Sequence, residues 1–221
     1  MTGASDDSSG APVVKILDAI WDLVVYGESS FRPDKSCYEL YEEYKKSGVT
    51  PDECVSNLIN WQLAKTAASG FVLGLPGLAA LPLTIPADLS SVAYIQLRMV
   101  VVIGLLYGWD AKSDRFRTVA YLSLLGTSGG EVLRAAGVTV GSRVSANLIK
   151  KIPGKVLIEI NKKVGFRLLT KAGEKGVINL MKLVPVLGGA VGGGINAFAT
   201  RQIGKAATAM LKTGPVAKGA S

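Results

Sequence analysis

Residues 66–87 read TAASGFVLGLPGLAALPLTIPA, a run of 22 residues without a charged side chain. As one straight helix, this run would be long enough to cross the hydrocarbon core of a bilayer. Pro76, Pro82 and Pro86 interrupt it, and each interior proline removes a backbone hydrogen bond and clashes with the preceding turn. The run therefore predicts a hairpin of two short helices or a re-entrant loop, since such breaks occur at membrane depth where protein covers the freed backbone groups.

A second uncharged run, LVPVLGGAVGGGINAFAT, covers residues 183–200 and continues as a predicted helix to about Leu211. Its small residues recur every four positions, a pattern that lets helix backbones approach closely in lipid. In water, each interior glycine would weaken a helix by roughly 1 kcal/mol relative to alanine. We therefore expect glycine-zipper packing in a membrane, with tight packing in a soluble core as the alternative. The residues assigned to this packing are Gly188, Gly189, Gly192 and Gly193.

The composition favours a helical, membrane-seeking protein that is not an enzyme. Of 221 residues, 48% are hydrophobic and 19% are charged, against about 25% charged residues in average soluble domains. The chain has no histidine, which excludes Ser-His-Asp and Cys-His catalysis and HExxH zinc sites. The acidic residues have neither paired-carboxylate nor metal-ligand spacing, so we expect no cofactor and no metal. Cys37 and Cys54 form no CxxC motif, and we expect both to be reduced.

Start and stop signals predict an all-α fold, a single multi-helix bundle whose apolar hairpins are broken by proline and glycine and which associates with a membrane. No alternation of strands and helices occurs. The third helix starts at Thr50-Pro51, and a weak spot at 126–130 interrupts the predicted helix 114–136. The predicted elements cover residues 13–26, 33–47, a helix from 51 into the first uncharged run, 89–107, 114–136, a short helix or strand at 138–150, 155–169 and 183–211.

Charge divides the chain into an acidic and a basic part. Residues 1–60 contain 11 acidic and five basic residues, whereas the remaining 161 residues contain six acidic and 20 basic ones. Met1–Gly10 lacks the positive start and apolar core of a signal peptide, which predicts a cytoplasmic protein. The expected organisation is a disordered tail (1–10), acidic N-terminal helices that face water or a protein partner (11–54), a helical domain (55–212) and a frayed tail (213–221).

The basic residues of the second half predict a surface for anionic lipid, because they flank apolar stretches as in basic interfacial helices. A merely solvated face is the alternative. Residues 134–221 contain two aromatic residues, Phe166 and Phe198, so base stacking has little support and nucleic acid is not the expected partner. The predicted lipid-facing residues are Arg143, Lys150, Lys151, Lys155, Lys162, Lys163, Arg167 and Lys171.

Two charges belong to the apolar helix that begins near Pro86. Asp88 is expected to cap its start, where a carboxylate meets the positive end of the helix dipole. Arg98 lies mid-helix among apolar residues, where a charge is costly unless it is paired. We expect it to meet an acidic residue, Asp110 or Glu131, or a polar cavity, and ligand binding is the alternative role.

Several short stretches follow one another in an order that is typical of a known family. They are GFVLGLPG at 70–77, PADL at 86–89, QLR at 96–98, LYGWD at 106–110, KVGFRLLTK at 163–171, KLVPVLGG at 182–189 and GINA at 194–197. Over residues 55–212 the chain resembles the bacterial EcsC family. The resemblance marks motif or polar-core positions at Asp88, Arg98, Tyr107, Asp110 and Asn196.

The resemblance implies a role beside a transport or secretion system, since the family takes its name from a protein encoded beside an ABC transporter involved in secretion. It implies no catalytic residue. Asn196 stands where family members often carry aspartate, so pairing with a basic residue is weaker at this position.

We therefore expect a non-enzymatic protein on the inner face of the cell membrane, which binds or inserts into the cytoplasmic leaflet through its apolar hairpins and basic surface. Two alternatives stay open. One is a soluble helical carrier that encloses a lipid or another apolar ligand. The other is a membrane-permeabilising effector, since glycine-zipper hairpins suit oligomeric pores. A homo-oligomer is compatible with all three.

Overall fold

A computed structural model describes residues 11–27, 35–68, 87–140, 148–149, 151–170 and 189–212. Over these residues the chain forms eight α-helices and no strand, which confirms the predicted all-α fold. A 3-10 turn at Gly126–Ser128 separates α5 from α6. The helices are α1 (Ala11–Val25), α2 (Cys37–Tyr44), α3 (Pro51–Ala68), α4 (Ala87–Leu106), α5 (Asp114–Leu124), α6 (Gly129–Ala135), α7 (Gly154–Thr170) and α8 (Gly189–Leu211).

Capping boxes set the starts of α2 and α3. The Ser36 hydroxyl accepts a hydrogen bond from the Glu39 N–H at 3.1 Å, and the Glu39 carboxylate accepts one from the Ser36 N–H at 2.7 Å. Thr50 and Glu53 form the same reciprocal pair, so α3 begins as predicted. The helix predicted over 33–47 is too long at both ends. It begins only after Ser36 and ends at Tyr44, because Lys45 is extended.

Left-handed glycines end α4 and α6. Gly108 has φ +78°, and the Trp109 N–H donates to the Gly104 carbonyl at 2.9 Å, which is the Schellman pattern of a helix end. Gly137, with φ +76°, ends α6 with the same two-bond pattern. The predicted weak spot is confirmed as well, because the helix of residues 114–136 is divided at Gly126, which has φ +60°.

The central helix of the bundle is α4, which packs against α1, α2, α3, α5 and α8. Every residue from Leu97 to Ile103 is at most 2% exposed, so the bundle's own helices cover this part of the apolar sequence. Among the helices in the described ranges, none combines the length and the apolar character needed to cross a membrane.

Helix α7 packs against α1, α5 and α6. Leu157, Ile160 and Val164 on its inner side are buried, which confirms the predicted amphipathic helix. The core beside it is aromatic, with ring centroids 5.8 Å apart for Trp21 and Phe116. Trp109 lies 5.9 Å from the same Phe116 ring. Trp109 also donates from Nε1 to the Leu211 carbonyl at 3.0 Å, which satisfies an end carbonyl of α8.

Some predicted segments lie outside the described residues. These are the tails at 1–10 and 213–221, the hairpin between Ala68 and Ala87, and the first part of the run 183–200. From Gly189 to Leu211 the predicted last helix is confirmed. In the predicted short element at 138–150, residues 138–140 form neither helix nor strand, whereas residues 148–149 are helical.

Candidate functional site

One carboxylate fixes the directions of three helices. The Tyr107 hydroxyl, just after α4, donates a hydrogen bond to Asp52 Oδ1 at 2.7 Å, and Asp52 lies in the first turn of α3. The Lys212 ammonium, just after α8, binds the other oxygen of this carboxylate. The ends of α4 and α8 therefore lie beside the start of α3, and both helices run antiparallel to α3. We call this side of the bundle the Asp52 end.

The same contacts set the electrostatics of the Asp52 end. Hydrogen bonds from Lys212 and then from Tyr107 hold the pKa of the Asp52 carboxyl below its usual range. Partial burial, followed by the bond to Asp52, raises the pKa of the Tyr107 phenol, so its hydroxyl remains a donor in alkaline solution. This arrangement is an anchor between helices and holds no group poised for proton transfer.

Helices α3 and α8 remain in close contact beyond the Asp52–Lys212 pair. A Cβ atom added to Gly204 of α8 would lie 3.0 Å from the Ile59 side chain of α3, so glycine is what lets the backbone approach here. The pairs Asp52–Lys212 and Ile59–Gly204 follow one another in opposite directions along the two helices. The antiparallel packing therefore extends over at least two turns beyond the anchor.

This arrangement places three described helix ends at one side of the bundle. Ala68 ends α3, Ala87 begins α4 and Gly189 begins α8, and all three lie at the side of the bundle opposite the Asp52 end. We call this side the Ala68 end. In the sequence, residues 69–86 of the first uncharged run connect Ala68 to Ala87, and residues 183–188 of the second run precede Gly189.

Two large aromatic side chains on α3 and α8 are exposed. Trp61 of α3 is 53% exposed and Phe198 of α8 is 65% exposed. Arg201 and Lys205 are exposed on α8 at three and seven residues after Phe198, so they share its face. The site residues predicted from the sequence include none of these four. The helical spacing of Phe198, Arg201 and Lys205 is the signal that could have indicated α8.

The predicted lipid-facing lysines are partly described, on and beside α7. Lys151, Lys155 and Lys162 are exposed, and Ile158, 61% exposed, lies between Lys155 and Lys162 on the same helical face. Lys163 is half-buried and pairs with Glu159 at 3.5 Å. Four predicted members lie outside the described side chains: Arg143, Lys150, Arg167 and Lys171.

Arg98 is buried and contacts a backbone carbonyl and an aromatic ring. Its Nη1 donates to the backbone carbonyl of Lys35 at 2.8 Å, and its guanidinium lies 5.5 Å from the ring centroid of Tyr94. Both contacts stabilise the buried cation, and the hydrogen bond to Lys35 links α4 to the start of α2. The predicted contact of Arg98 with an acidic residue stays a prediction.

The structure describes some of the other predicted polar and packing residues, and for others it describes the backbone alone. Asp110 lies in the loop after α4, where its carboxylate accepts a hydrogen bond from the Lys112 N–H at 2.9 Å. Asp88 lies at the start of α4, and Asn196 lies in α8, with side chains outside the described set. Gly189, Gly192 and Gly193 are helical in α8, and Gly188 falls outside the described residues.

A second polar cluster joins α1 to α5. The Tyr121 hydroxyl donates to Asp18 Oδ1 at 2.8 Å, and burial followed by the Asp18 charge raises the pKa of this phenol. Arg117 approaches Asp18 at 3.7 Å and lies 5.4 Å from the Trp21 ring. These contacts hold α1 against α5. Cys37 and Cys54 are buried, and within the described residues neither forms a disulfide.

The model of the EcsC protein family matches residues 14–213, which is most of the chain. The match includes α1 and α2, beyond the range of residues 55–212 over which the quoted motifs resemble the family. These two helices pack against α4 within the same bundle. None of the curated proteins and none of the solved structures matches the chain. The chain belongs to the EcsC protein family.

Proposed function

We propose that this protein is a non-enzymatic, membrane-associated helical protein that supports a transport or secretion system from the cytoplasmic leaflet. The observation that carries the proposal is the common location of Ala68, Ala87 and Gly189 at the Ala68 end, since residues 69–86 and 183–188 of the two uncharged runs are joined to them in the sequence. Apolar segments at one end can enter a single leaflet together while the rest of the bundle stays in water. A bundle with its apolar runs at opposite ends could not do so.

The basic surface supports the electrostatic part of the proposal. Lys151, Lys155 and Lys162 are exposed, and Ile158 gives this surface an apolar component. Each basic side chain near an anionic leaflet contributes about 1 kcal/mol of attraction, which falls off within a Debye length. Attachment through such a surface is expected to weaken with salt, whereas insertion of the uncharged runs is not.

Vesicle sedimentation tests both parts. The full chain is mixed at low and high salt with vesicles of phosphatidylcholine alone and of phosphatidylcholine with phosphatidylglycerol. We expect stronger pelleting with the anionic vesicles at low salt and a fraction that resists salt extraction. Equal pelleting with both vesicles at low salt would contradict the electrostatic part, and no pelleting would contradict membrane association.

A charge-matched pair of variants separates the basic surface from the overall charge. The triple variant K151Q, K155Q and K162Q is expected to lose most of the salt-sensitive binding. The control K45Q, K46Q and K112Q removes three exposed lysines from other parts of the bundle and is expected to bind as the native chain does. Equal losses in the two variants would show that net charge alone drives the binding. Dye release from the same vesicles distinguishes attachment from permeabilisation.

A further inference from the structure

We infer that the exposed face of α7 lies in the headgroup region of an anionic bilayer, with Ile158 inserted between two lysines and Glu159 limiting the affinity. The face consists of Lys155, Ile158, Glu159 and Lys162, and we call it the α7 face. The inference rests on the proposed function and deepens it, because it names the residue that enters the bilayer and the residue that opposes binding.

The α7 face points away from the core of the bundle. Leu157, Ile160 and Val164 are at most 6% exposed, and they mark the side of α7 that packs against its neighbouring helices. At 3.6 residues per turn, Lys155 and Lys162 lie roughly 140–180° round the helix from these three residues. Both lysines are exposed and lie within roughly 20° of each other on the helix. Contact with a surface at this face therefore requires no unpacking of the core.

Ile158 is an apolar residue between the two lysines. It is 61% exposed, whereas the other isoleucine side chains that the structure describes are buried or half-buried. It follows Lys155 by three residues and precedes Lys162 by four, so both lysines are its neighbours on the helix surface. An aliphatic side chain gains from leaving water in proportion to the area covered. A bilayer provides that cover, while the long lysine stems keep their ammonium groups at the level of the phosphates.

Charge complementarity selects an anionic bilayer as the occupant of the α7 face. Lys155 and Lys162 are separated by roughly 10 Å along the helix axis, so their ammonium groups can contact different headgroups. Lys151, exposed in the turn before α7, adds a third cation. An exposed apolar side chain flanked by lysines is the pattern of a helix that lies in the interface.

Glu159 opposes this attraction. It follows Lys155 by four residues and precedes Lys162 by three, so it lies on the same side of the helix. Its Oε1 lies 3.5 Å from the Lys163 ammonium, and 55% of its side chain is exposed. The two charges of this pair cancel, so Lys163 adds nothing to the net charge of the surface. The carboxylate repels lipid phosphates, and its removal should raise the affinity.

A similar combination of residues on α8 provides the comparison. Phe198 is 65% exposed, and Arg201 and Lys205 are exposed on its face. Both of these cations follow Phe198, after a run without charges, whereas lysines lie on both sides of Ile158. Cations on both sides hold the apolar residue in the middle of a helix that lies parallel to the bilayer. With Lys151, the surface of α7 also has one cation more, so α7 is the better fit.

Sedimentation of the full chain with vesicles of phosphatidylcholine and phosphatidylglycerol tests the apolar contact. I158A should bind about tenfold more weakly, which corresponds to about 1.4 kcal/mol, and by the same factor at low and high salt. F198A, which truncates a similarly exposed side chain on α8, should bind as the native chain does. I158W should gain fluorescence quenching by lipid that is brominated in the acyl chain, relative to the native chain, and F198W should not.

A charge-matched pair of variants tests Glu159. E159Q should bind the anionic vesicles about fivefold more tightly at low salt, which corresponds to about 1 kcal/mol. The gain should disappear at high salt, where charges are screened, and with vesicles of phosphatidylcholine alone. E42Q removes the same charge from an exposed position of α2 and should bind as the native chain does.

The outcomes separate this inference from the proposed function. If the native chain pellets with vesicles but neither I158A nor E159Q changes the binding, the inference fails and membrane association stands. If F198A weakens binding and I158A does not, the contact lies on α8. Equal gains for E159Q and E42Q would mean that net charge, and not the α7 face, sets the affinity. If no vesicle is bound, the proposed function fails together with the inference. Circular dichroism of each variant checks that the bundle is folded.

Discussion

The hydroxyl of Tyr107 donates a hydrogen bond of 2.7 Å to the carboxylate of Asp52, across 55 residues of sequence. Because Tyr107 follows α4 and Asp52 opens α3, this bond makes the two helices antiparallel at their ends. Lys212 extends the arrangement to α8 through the same carboxylate. The common location of Ala68, Ala87 and Gly189 at the Ala68 end follows from these contacts, so the proposed function depends on them.

Removing the Tyr107 hydroxyl should weaken the bundle modestly. A typical intramolecular hydrogen bond contributes about 0.5–1.5 kcal/mol, and the exposure of Asp52 places this one at the lower end. Y107F should therefore lower the free energy of unfolding by about 0.5–1 kcal/mol, measured by urea denaturation. D52N combined with Y107F should cost less than the two single changes together, since both remove one interaction. Additive losses would contradict a direct bond, and Y26F, at a half-exposed tyrosine, serves as the control.

The stability contributed by Asp52 should depend on acid pH. Its folded pKa is depressed by Lys212 and Tyr107, so the contribution is present above the unfolded value of about 3.9. It is lost as the pH falls through the folded value, because protonation then favours the unfolded chain. The difference in unfolding free energy between the native chain and D52N should thus be constant from neutral pH to about pH 5 and shrink below it. For an exposed pair this difference should not exceed about 1 kcal/mol, and a difference that grows in acid would contradict the assignment.

Gly104 allows α4 and α5 to approach each other, and a methyl group there should be strongly destabilising. A Cβ at this position would lie 2.1 Å from the Phe116 ring, which is fully buried against Trp21 and Trp109. Alanine gains about 1 kcal/mol of helix propensity over glycine. Overpacking of a rigid core typically costs 1–3 kcal/mol or more, and the severity of this overlap makes the clash the larger effect.

The expected result is a lower urea midpoint for G104A. The matched control is G154A, since nothing lies within 4 Å of a Cβ added to Gly154. That variant should retain or slightly raise the midpoint. Equal midpoints for G104A and the native chain would mean that Phe116 can move aside.

Helix boundaries could be predicted where the signal lies within one turn. Thr50, Pro51 and Glu53 mark the start of α3, and Gly108 marks the end of α4, because capping and left-handed glycine are local chemistry. The error in α2 has the same explanation. The Ser36–Glu39 capping box is visible in the sequence. However, Pro33-Asp34 is also a local start signal, and it predicts an earlier start than the one observed.

The arrangement of the helices could not be predicted, because its determinants are far apart in sequence. Asp52 and Lys212 are 160 residues apart, and many exposed acidic and basic residues could have made such a pair. Arg98 illustrates a different limit. Its hydrogen bond to Lys35 is to a backbone carbonyl, and every residue has one, so no residue type could indicate this contact.

Arg98 should control how α2 is held against α4. Its guanidinium reaches from the middle of α4 to the Lys35 carbonyl, one residue before the Ser36 cap of α2. R98M keeps a long side chain but removes the donor, and a hydrogen bond from a charged group contributes about 1.5–3 kcal/mol. R98K keeps the positive charge but lacks the planar guanidinium group, so it should weaken the contact between α2 and α4 less than R98M does.

Amide hydrogen exchange distinguishes this role from general stabilisation. In R98M, exchange should rise most in α2, from Cys37 to Tyr44, because the contact anchors that helix. Exchange in α5 should change little, because its aromatic contacts with Trp21 and Trp109 do not involve Arg98. An equal rise in α2 and α5 would mean that Arg98 supports the whole core and does not act through Lys35. A selective rise in α2 would instead mean that the hydrogen bond from Arg98 to the Lys35 carbonyl connects the acidic N-terminal helices to the apolar centre of the bundle.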